Sequence, residues 1–260
     1  MDLPLAKPPW TRIGKYLEKT IRKAIFENDL LDDPNIVIAL SGGKDSLTLL
    51  YLLAAISGRG INKLNLTAIH VEGEVSCGAN IDKSFLSAIC KDLNIEFVSV
   101  SMPKMNKDFD CYICSRIRRK LIFEKAKQMG ISTIAFGHHR DDNIQTLLMN
   151  LFQKGEFAAM LPKLKMYAYE VTIIRPLIYA SEEDIRSFAK YYSFERITCK
   201  CPKGIDSRRK KMEDIIQSLE ALYPSVRNNL SLAAKYYGSK KATNKSEKIL
   251  QSITLKKKTT

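Results

Sequence analysis

The run Ile36-Val-Ile-Ala-Leu40, followed without a break by Ser41-Gly-Gly-Lys-Asp-Ser46 and then by Leu47-Thr-Leu-Leu-Tyr-Leu-Leu53, decides the architecture. Five consecutive apolar residues form a strand buried on both faces, as strands inside parallel sheets are. The apolar stretch that follows the glycines reads as a helix over residues 45–56. Gly42 and Gly43 can take backbone angles closed to other residues, which lets main-chain N–H groups approach an anion. The helix N-terminus adds partial positive charge at the same place. Lys44 brings a full charge, and Ser41 and Ser46 bring hydroxyl donors. Ligands of open parallel sheets bind beyond the carboxyl ends of the strands, which is where this segment falls. Residues 41–46 are therefore expected to cradle an anion such as phosphate.

Outward from this segment, short β-rich runs alternate with longer helical patterns. Residues 64–71, 95–101, 131–137 and 171–176 read as further strands. Residues 12–28, 80–93, 111–129, 141–153 and 182–191 read as further helices. That alternation predicts an α/β, Rossmann-like domain: a parallel five-stranded sheet with helices on both faces. Residues 161–170 read as a loop, because Pro162 ends the preceding helix. Residues 199–211 form a loop rich in Cys, Lys and Arg, and short helices over 212–222 and 226–236 close the fold. The expected organisation is an N-terminal helical segment over 1–30, a nucleotide-binding domain over 31–198 and a basic C-terminal extension over 199–260.

With 260 residues, 45% of them hydrophobic, the chain can bury a sizeable core. Its longest apolar runs, residues 36–40 and 47–56, are far shorter than the roughly 20 residues that span a bilayer. The first ten residues do not read as a secretory signal, so a cytoplasmic protein is expected. Of the net charge of +14, +10 falls on residues 200–260 and +4 on residues 1–199. Such a basic block attracts polyanions by releasing their condensed counterions, or else serves as a solvated tail. Six cysteines in such a chain read as reduced thiols, metal ligands or redox groups rather than structural disulfides.

Two further segments carry chemistry. The strand over 131–137 ends in Gly137-His-His-Arg-Asp-Asp142, placing polar groups at another strand's carboxyl end. Asp141 and Asp142 can cap the following helix, as acidic groups do, or join Asp45 in holding Mg²⁺. His138 can relay a proton or neutralise developing charge. Cys111-Tyr-Ile-Cys114 opens a helix and is followed by Ser115-Arg-Ile-Arg-Arg-Lys120. The two-residue spacing brings both sulfurs to one centre, which is compatible with zinc, an iron-sulfur cluster or a redox pair. Cys199-Lys-Cys201 offers further thiolates in a basic loop, whereas Cys77 and Cys90 lack a partner motif and read as incidental or buried thiols.

Ser41 to Ser46 resembles the Ser-Gly-Gly-x-Asp-Ser loop of PP-loop ATP pyrophosphatases and lacks the first glycine of the Gly-x-x-x-x-Gly-Lys-Ser/Thr loop. With Cys111-x-x-Cys-Ser-Arg-x-Arg-Arg, Gly137-His-His-Arg-Asp-Asp, Pro162-Lys-Leu and Ile174-Arg-Pro-Leu in this order, the chain resembles the TtcA-like tRNA 2-thiocytidine synthetases over roughly residues 30–205. The resemblance implies ATP-dependent adenylation of a cytidine C2 carbonyl in the tRNA anticodon loop at position 32, then replacement of the oxygen by sulfur. Ser41, Gly42, Gly43, Lys44, Asp45, Ser46, His70 and Gly137 would bind ATP, the base lying near residues 69–72. Lys44, Asp45, Asp141 and His138 would be catalytic, and Asp45 and Asp142 would hold Mg²⁺. Cys111, Cys114 and Cys201 would hold a [4Fe-4S] cluster. This chain has Cys-x-Cys where the family has Cys-x-x-Cys, so Cys199 is the alternative third ligand. Arg116, Arg118, Arg119, Lys203, Arg208 and Arg209 would contact tRNA. A sulfur donor such as a cysteine desulfurase is the expected partner, and a homodimer the possible assembly. The competing readings are a thiouridine or lysidine synthetase of the same superfamily, or a non-catalytic RNA-binding or sulfur-carrier protein.

Overall fold

The computed structural model describes residues 5–73, 82–103, 111–194 and 208–238. Two compact units emerge from the contacts within the chain: Met1–His139 with Pro162–Ile205, and Arg140–Leu161 with Asp206–Thr260.

The first unit is built on β1 (Asn35–Ala39), β2 (Asn65–Glu72), β3 (Glu96–Ser101), β4 (Thr133–Ala135), β5 (Lys163–Met166) and β6 (Val171–Ile174). They form one sheet in the order β3-β2-β1-β4-β6-β5. Its helices are α1 (Arg12–Glu27), α2 (Lys44–Ile56), α3 (Lys83–Asp92), α4 (Cys111–Gln128) and α6 (Glu182–Tyr191). The central strand β1 alternates its allegiance as the pleat requires. Ile36, Ile38 and Leu40 pack with residues of α1, α2, α3 and α6, while Val37 and Ala39 pack with Ile122, Phe123 and Ala126 of α4. This two-sided burial explains the unbroken apolar run. In α1 the buried Leu17, Ile21, Ala24 and Ile25 recur at helical spacing, giving one face to the sheet layer.

One expectation needs correction. The sheet has six strands, not five, because β5 pairs antiparallel with β6 inside the stretch 161–170 expected to be a loop. Lys163-Leu-Lys-Met166 alternates polar and apolar side chains, but four residues give too short a pattern to distinguish from a loop. Leu164 and Met166 pack into the cluster that contains Val171 and Ile173. Lys163 pairs with Asp32 at 2.6 Å, and charge on an edge strand discourages pairing with other chains. The remaining pairings are parallel.

The second unit contains α5 (Arg140–Lys154), α7 (Arg208–Leu222) and α8 (Val226–Ala233), followed by a wider helical turn over Ala234–Gly238. Ile144 and Leu148 of α5 pack on Ile216 of α7, and Leu147 packs on Ala159 and Ala234. Thus α5, which lies inside the expected segment 31–198, shares its core with helices from 199–260. Cys77, Cys199, Cys201, Lys203 and the lysine-rich stretch 239–260 lie outside the described residues, as do the side chains of Cys111 and Arg208.

Candidate nucleotide site and thiol face

The phosphate loop leaves β1 at Leu40, whose N–H donates to Ile69 O at 2.9 Å. Gly42 has φ 83°, a conformation that disfavours any side chain. Gly43 has φ −74°, an angle open to any residue. The loop is shaped by its own hydroxyls. Ser46 Oγ accepts from Gly42 N at 3.1 Å and donates to Gly43 O at 3.0 Å. Ser41 Oγ accepts from Gly43 N at 3.3 Å and lies 3.0 Å from Ser46 Oγ. From the neighbouring strand end, Gly137 presses against this turn. A Cβ there would come within 3.0 Å of Asp45 C and O and 3.1 Å of Ser46 N, so glycine is what allows the close approach.

Charge is concentrated on one lysine. Lys44 Nζ lies 2.9 Å from Asp45 Oδ1 and 3.2 Å from Glu182 Oε1 at the start of α6. Burial by itself would lower its pKa, but Asp45 and then Glu182 outweigh burial and hold the ammonium above the ordinary lysine value. The buried His139 places Nε2 3.7 Å from Asp45 Oδ1. His138 stacks on Phe136 with ring centroids 5.6 Å apart. His70 is fully buried, with Nδ1 2.8 Å from Leu40 O. In the tautomer that donates to that carbonyl, it fastens the end of β2 to the residue preceding the loop. Burial is the main cause that pushes its pKa down, with nearby Arg118 adding to the effect. His70 thus acts on the loop from beneath as a neutral ring.

The thiol face follows β3. Cys111 and Cys114 stand three residues apart in the first turn of α4, a spacing that puts both on one helix face. A helix N-terminus also favours thiolate over thiol. Cys114 is buried between the exposed Ile113 and Ser115. Arg118, expected on RNA, donates to Val71 O at 2.9 Å and so ties α4 to the carboxyl end of β2. Arg116 is exposed, with its guanidinium 5.7 Å from the Tyr112 ring centroid, and Arg119 is exposed as well. Cys90 is buried in α3 and its pKa is pushed up to about 12 by burial, which makes it an inert thiol.

In the second unit the two aspartates open α5, where the helix dipole favours acidic side chains. Both are engaged. Asp141 Oδ1 lies 2.9 Å from Arg227 and Asp142 Oδ1 lies 2.6 Å from Arg209. Arg227 also reaches Glu213 at 2.6 Å and Glu220 at 3.0 Å. Burial works against a charged Glu213, yet its bonds from Arg227 and Gln145 bring its pKa below the ordinary value. Arg227→Leu would remove a cation shared by three carboxylates. The expected loss is about 2–4 kcal/mol, at the lower part of the range for buried pairs because Glu220 keeps contact with water. Hydrogen exchange of the α5 and α7 amides measures this, and unchanged protection would show that the pairs carry no stability. Arg227, Glu182 and His139 were not evident from sequence, because their partners are distant in the chain or, for His139, belong to a loop 90-odd residues earlier. For Glu182 a signal existed: it opens the helix after the last parallel strand, at the carboxyl edge of the sheet.

Comparison with known proteins agrees with this geometry. The PP-loop domain family matches residues 14–198. The tRNA-cytidine(32) 2-sulfurtransferase of Dechloromonas aromatica is 35% identical over 220 residues, covering 82% of this chain and 77% of the relative. The protein of the same name from Cupriavidus necator is 33% identical over 234 residues, covering 86% of this chain and 74% of the relative. Among solved structures, the U34-tRNA thiolase NcsA from Methanococcus maripaludis with its [4Fe-4S] cluster superposes with a TM-score of 0.70 at 26% identity. That match covers 86% of this chain and 78% of the thiolase. The chain therefore belongs to the PP-loop domain family and, within it, to the group of the tRNA-cytidine(32) 2-sulfurtransferases.

Proposed function

We propose that this chain is an ATP-dependent tRNA sulfurtransferase that adenylates the C2 carbonyl oxygen of cytidine 32 and then replaces that oxygen, which departs with AMP, by sulfur. The observation that carries the reading is the bond from Arg118 to Val71 O, which fixes the helix bearing Cys111 and Cys114 at the carboxyl edge of the sheet that holds Ser41 to Ser46. A nucleotide loop and a thiol pair then serve one edge.

In this reading the phosphates of ATP replace the hydroxyl partners of Gly42 N and Gly43 N and engage Lys44. The cytidine carbonyl oxygen attacks the α-phosphorus, pyrophosphate leaves, and the charge developing on phosphate oxygens is stabilised by Lys44. Mg²⁺ would be held by Asp45 and, from the sequence motif, Asp142, and would neutralise phosphate charge. His139, rather than His138 alone, orients Asp45; Asp141 acts through the fixed start of α5, and His138 is the proton-relay candidate. Cys111, Cys114 and Cys201, with Cys199 as the alternative, would hold a [4Fe-4S] cluster whose iron without a cysteine ligand supplies a position for a sulfur atom. Arg116 and Arg119, with Lys203, Arg208 and Arg209, supply charge for the tRNA backbone. Arg118 serves the site by anchoring α4. Among the described residues no helix is long and apolar enough to cross a membrane. A cytoplasmic location, sulfur from a donor such as a cysteine desulfurase, and a homodimer complete the proposal.

Anaerobic purification with spectroscopy, iron, sulfide and zinc analysis tests it, together with nucleoside analysis of treated tRNA. The wild type is expected to show broad absorbance near about 400 nm and about four irons per chain, and to form 2-thiocytidine. Cys111→Ala and Cys201→Ala should lose both while retaining ATP binding. Zinc in place of iron, or 2-thiouridine in place of 2-thiocytidine, would overturn the cluster and the substrate assignments respectively.

A further inference from the structure

Three donors of the phosphate loop have partners from the chain itself. Gly42 N rests on Ser46 Oγ and Gly43 N on Ser41 Oγ. Lys44 rests on two carboxylates, its neighbour Asp45 and the distant Glu182. Asp45 is attached to the loop and moves with it, whereas Glu182 is delivered by a separate element. Ser181 caps α6 by accepting from Asp184 N at 3.0 Å, and Ile185, Phe188 and Ala189 bury the helix, so the backbone at Glu182 is held firmly. The side chain has two cationic partners to choose between. It is 32% exposed, and its Oε1 also meets Arg186 at 3.1 Å, one turn along the exposed face of the helix. Two cations thus share one carboxylate, and Lys44 is the one that belongs to the phosphate loop.

We propose that Glu182 is an exchangeable counterion for the phosphate loop: it neutralises Lys44 while the loop is empty, retires to Arg186 when the phosphates of ATP arrive, and returns to Lys44 to displace pyrophosphate. The inference rests on the reading that Lys44 binds the phosphates of ATP. Arg186 makes the exchange feasible because the displaced carboxylate keeps a cationic partner. The carboxylate also opposes any polyphosphate through plain charge repulsion, so it tunes affinity downward and speeds product departure. Glu182 is a positioning residue in this scheme: it acts through Lys44.

Calorimetry of the full chain without tRNA tests this, using ATP and inorganic pyrophosphate as separate probes. Glu182→Gln keeps the shape and removes the charge, and both probes are expected to bind about tenfold tighter, the size set by one nearby carboxylate charge. Arg186→Gln leaves Glu182 to Lys44 alone, and both probes are expected to bind about threefold more weakly. In turnover with tRNA, E182Q should lower KM for ATP and kcat together, as pyrophosphate release becomes slow. A residue that merely props up the loop would weaken binding when replaced. Unchanged or weaker binding by E182Q, with wild-type affinity intact, therefore overturns the proposal alone. Failure of the wild type to bind either probe would instead overturn the nucleotide reading on which it rests.

Discussion

Lys44→Ala is expected to reduce kcat/KM for AMP formation in the presence of tRNA by about 10²–10³, or about 3–4 kcal/mol of transition-state stabilisation. Its ammonium, which in the structure pairs with Asp45 and Glu182, stands at the loop where the leaving pyrophosphate gathers negative charge. Folding should be little affected. The two carboxylates it meets are each about a third exposed, Asp45 33% and Glu182 32%, so water can take over their solvation. Lys44→Arg should recover only part of the activity, since a planar fork does not replace a compact ammonium in a fitted loop. The tightening expected from E182Q should also shrink in the Lys44→Ala background, where only the direct repulsion between carboxylate and phosphate remains to be relieved. Initial rates of AMP release, with thermal unfolding as the control, measure all of this. A loss smaller than about tenfold would remove Lys44 from the transition state.

Gly137→Ala is expected to damage both stability and nucleotide binding, although it adds a single methyl group. The new Cβ would fall 3.0 Å from Asp45 C and O and 3.1 Å from Ser46 N, and these are backbone atoms with no flexible end to swing aside. Either β4 or the first turn of α2 must shift, at a cost of about 1–3 kcal/mol. A displaced loop misaligns donors that need correct geometry, so ATP affinity should fall by at least about tenfold. Gly43→Ala provides the contrast. Its Cβ would meet only Ser41 Oγ at 3.5 Å and its φ is ordinary, so its thermal midpoint should stay near that of the wild type. Equal stability of the two variants would show that the approach of β4 to the loop is not a constraint.

The parts of the site that were legible in the sequence are those where the chemistry is contiguous. Ser41 to Ser46 carries its glycine, lysine, aspartate and hydroxyls in six successive residues, directly after a strand with a pattern no helix would need. The helix that opens at Cys111 was legible too, from its pattern over residues 111–129. The strand β5 was not, because its four alternating residues gain meaning only once Leu164 and Met166 have β6 and α4 to pack against.

By itself the sequence determined the order of the parallel strands and of the helices, with a glycine turn after β1 and a cysteine pair at the start of α4, because each depends on interactions spanning a few residues: periodic burial, turn angles and helical spacing. Only the tertiary structure decided which distant groups answer those motifs. It brought Glu182 to Lys44 and His139 to Asp45, set Gly137 against the loop backbone, gave Asp141 to Arg227 and Asp142 to Arg209, and turned Arg118 inward to Val71. Charges and close packing act through space at 3–4 Å, and no local pattern encodes which part of the chain will stand there.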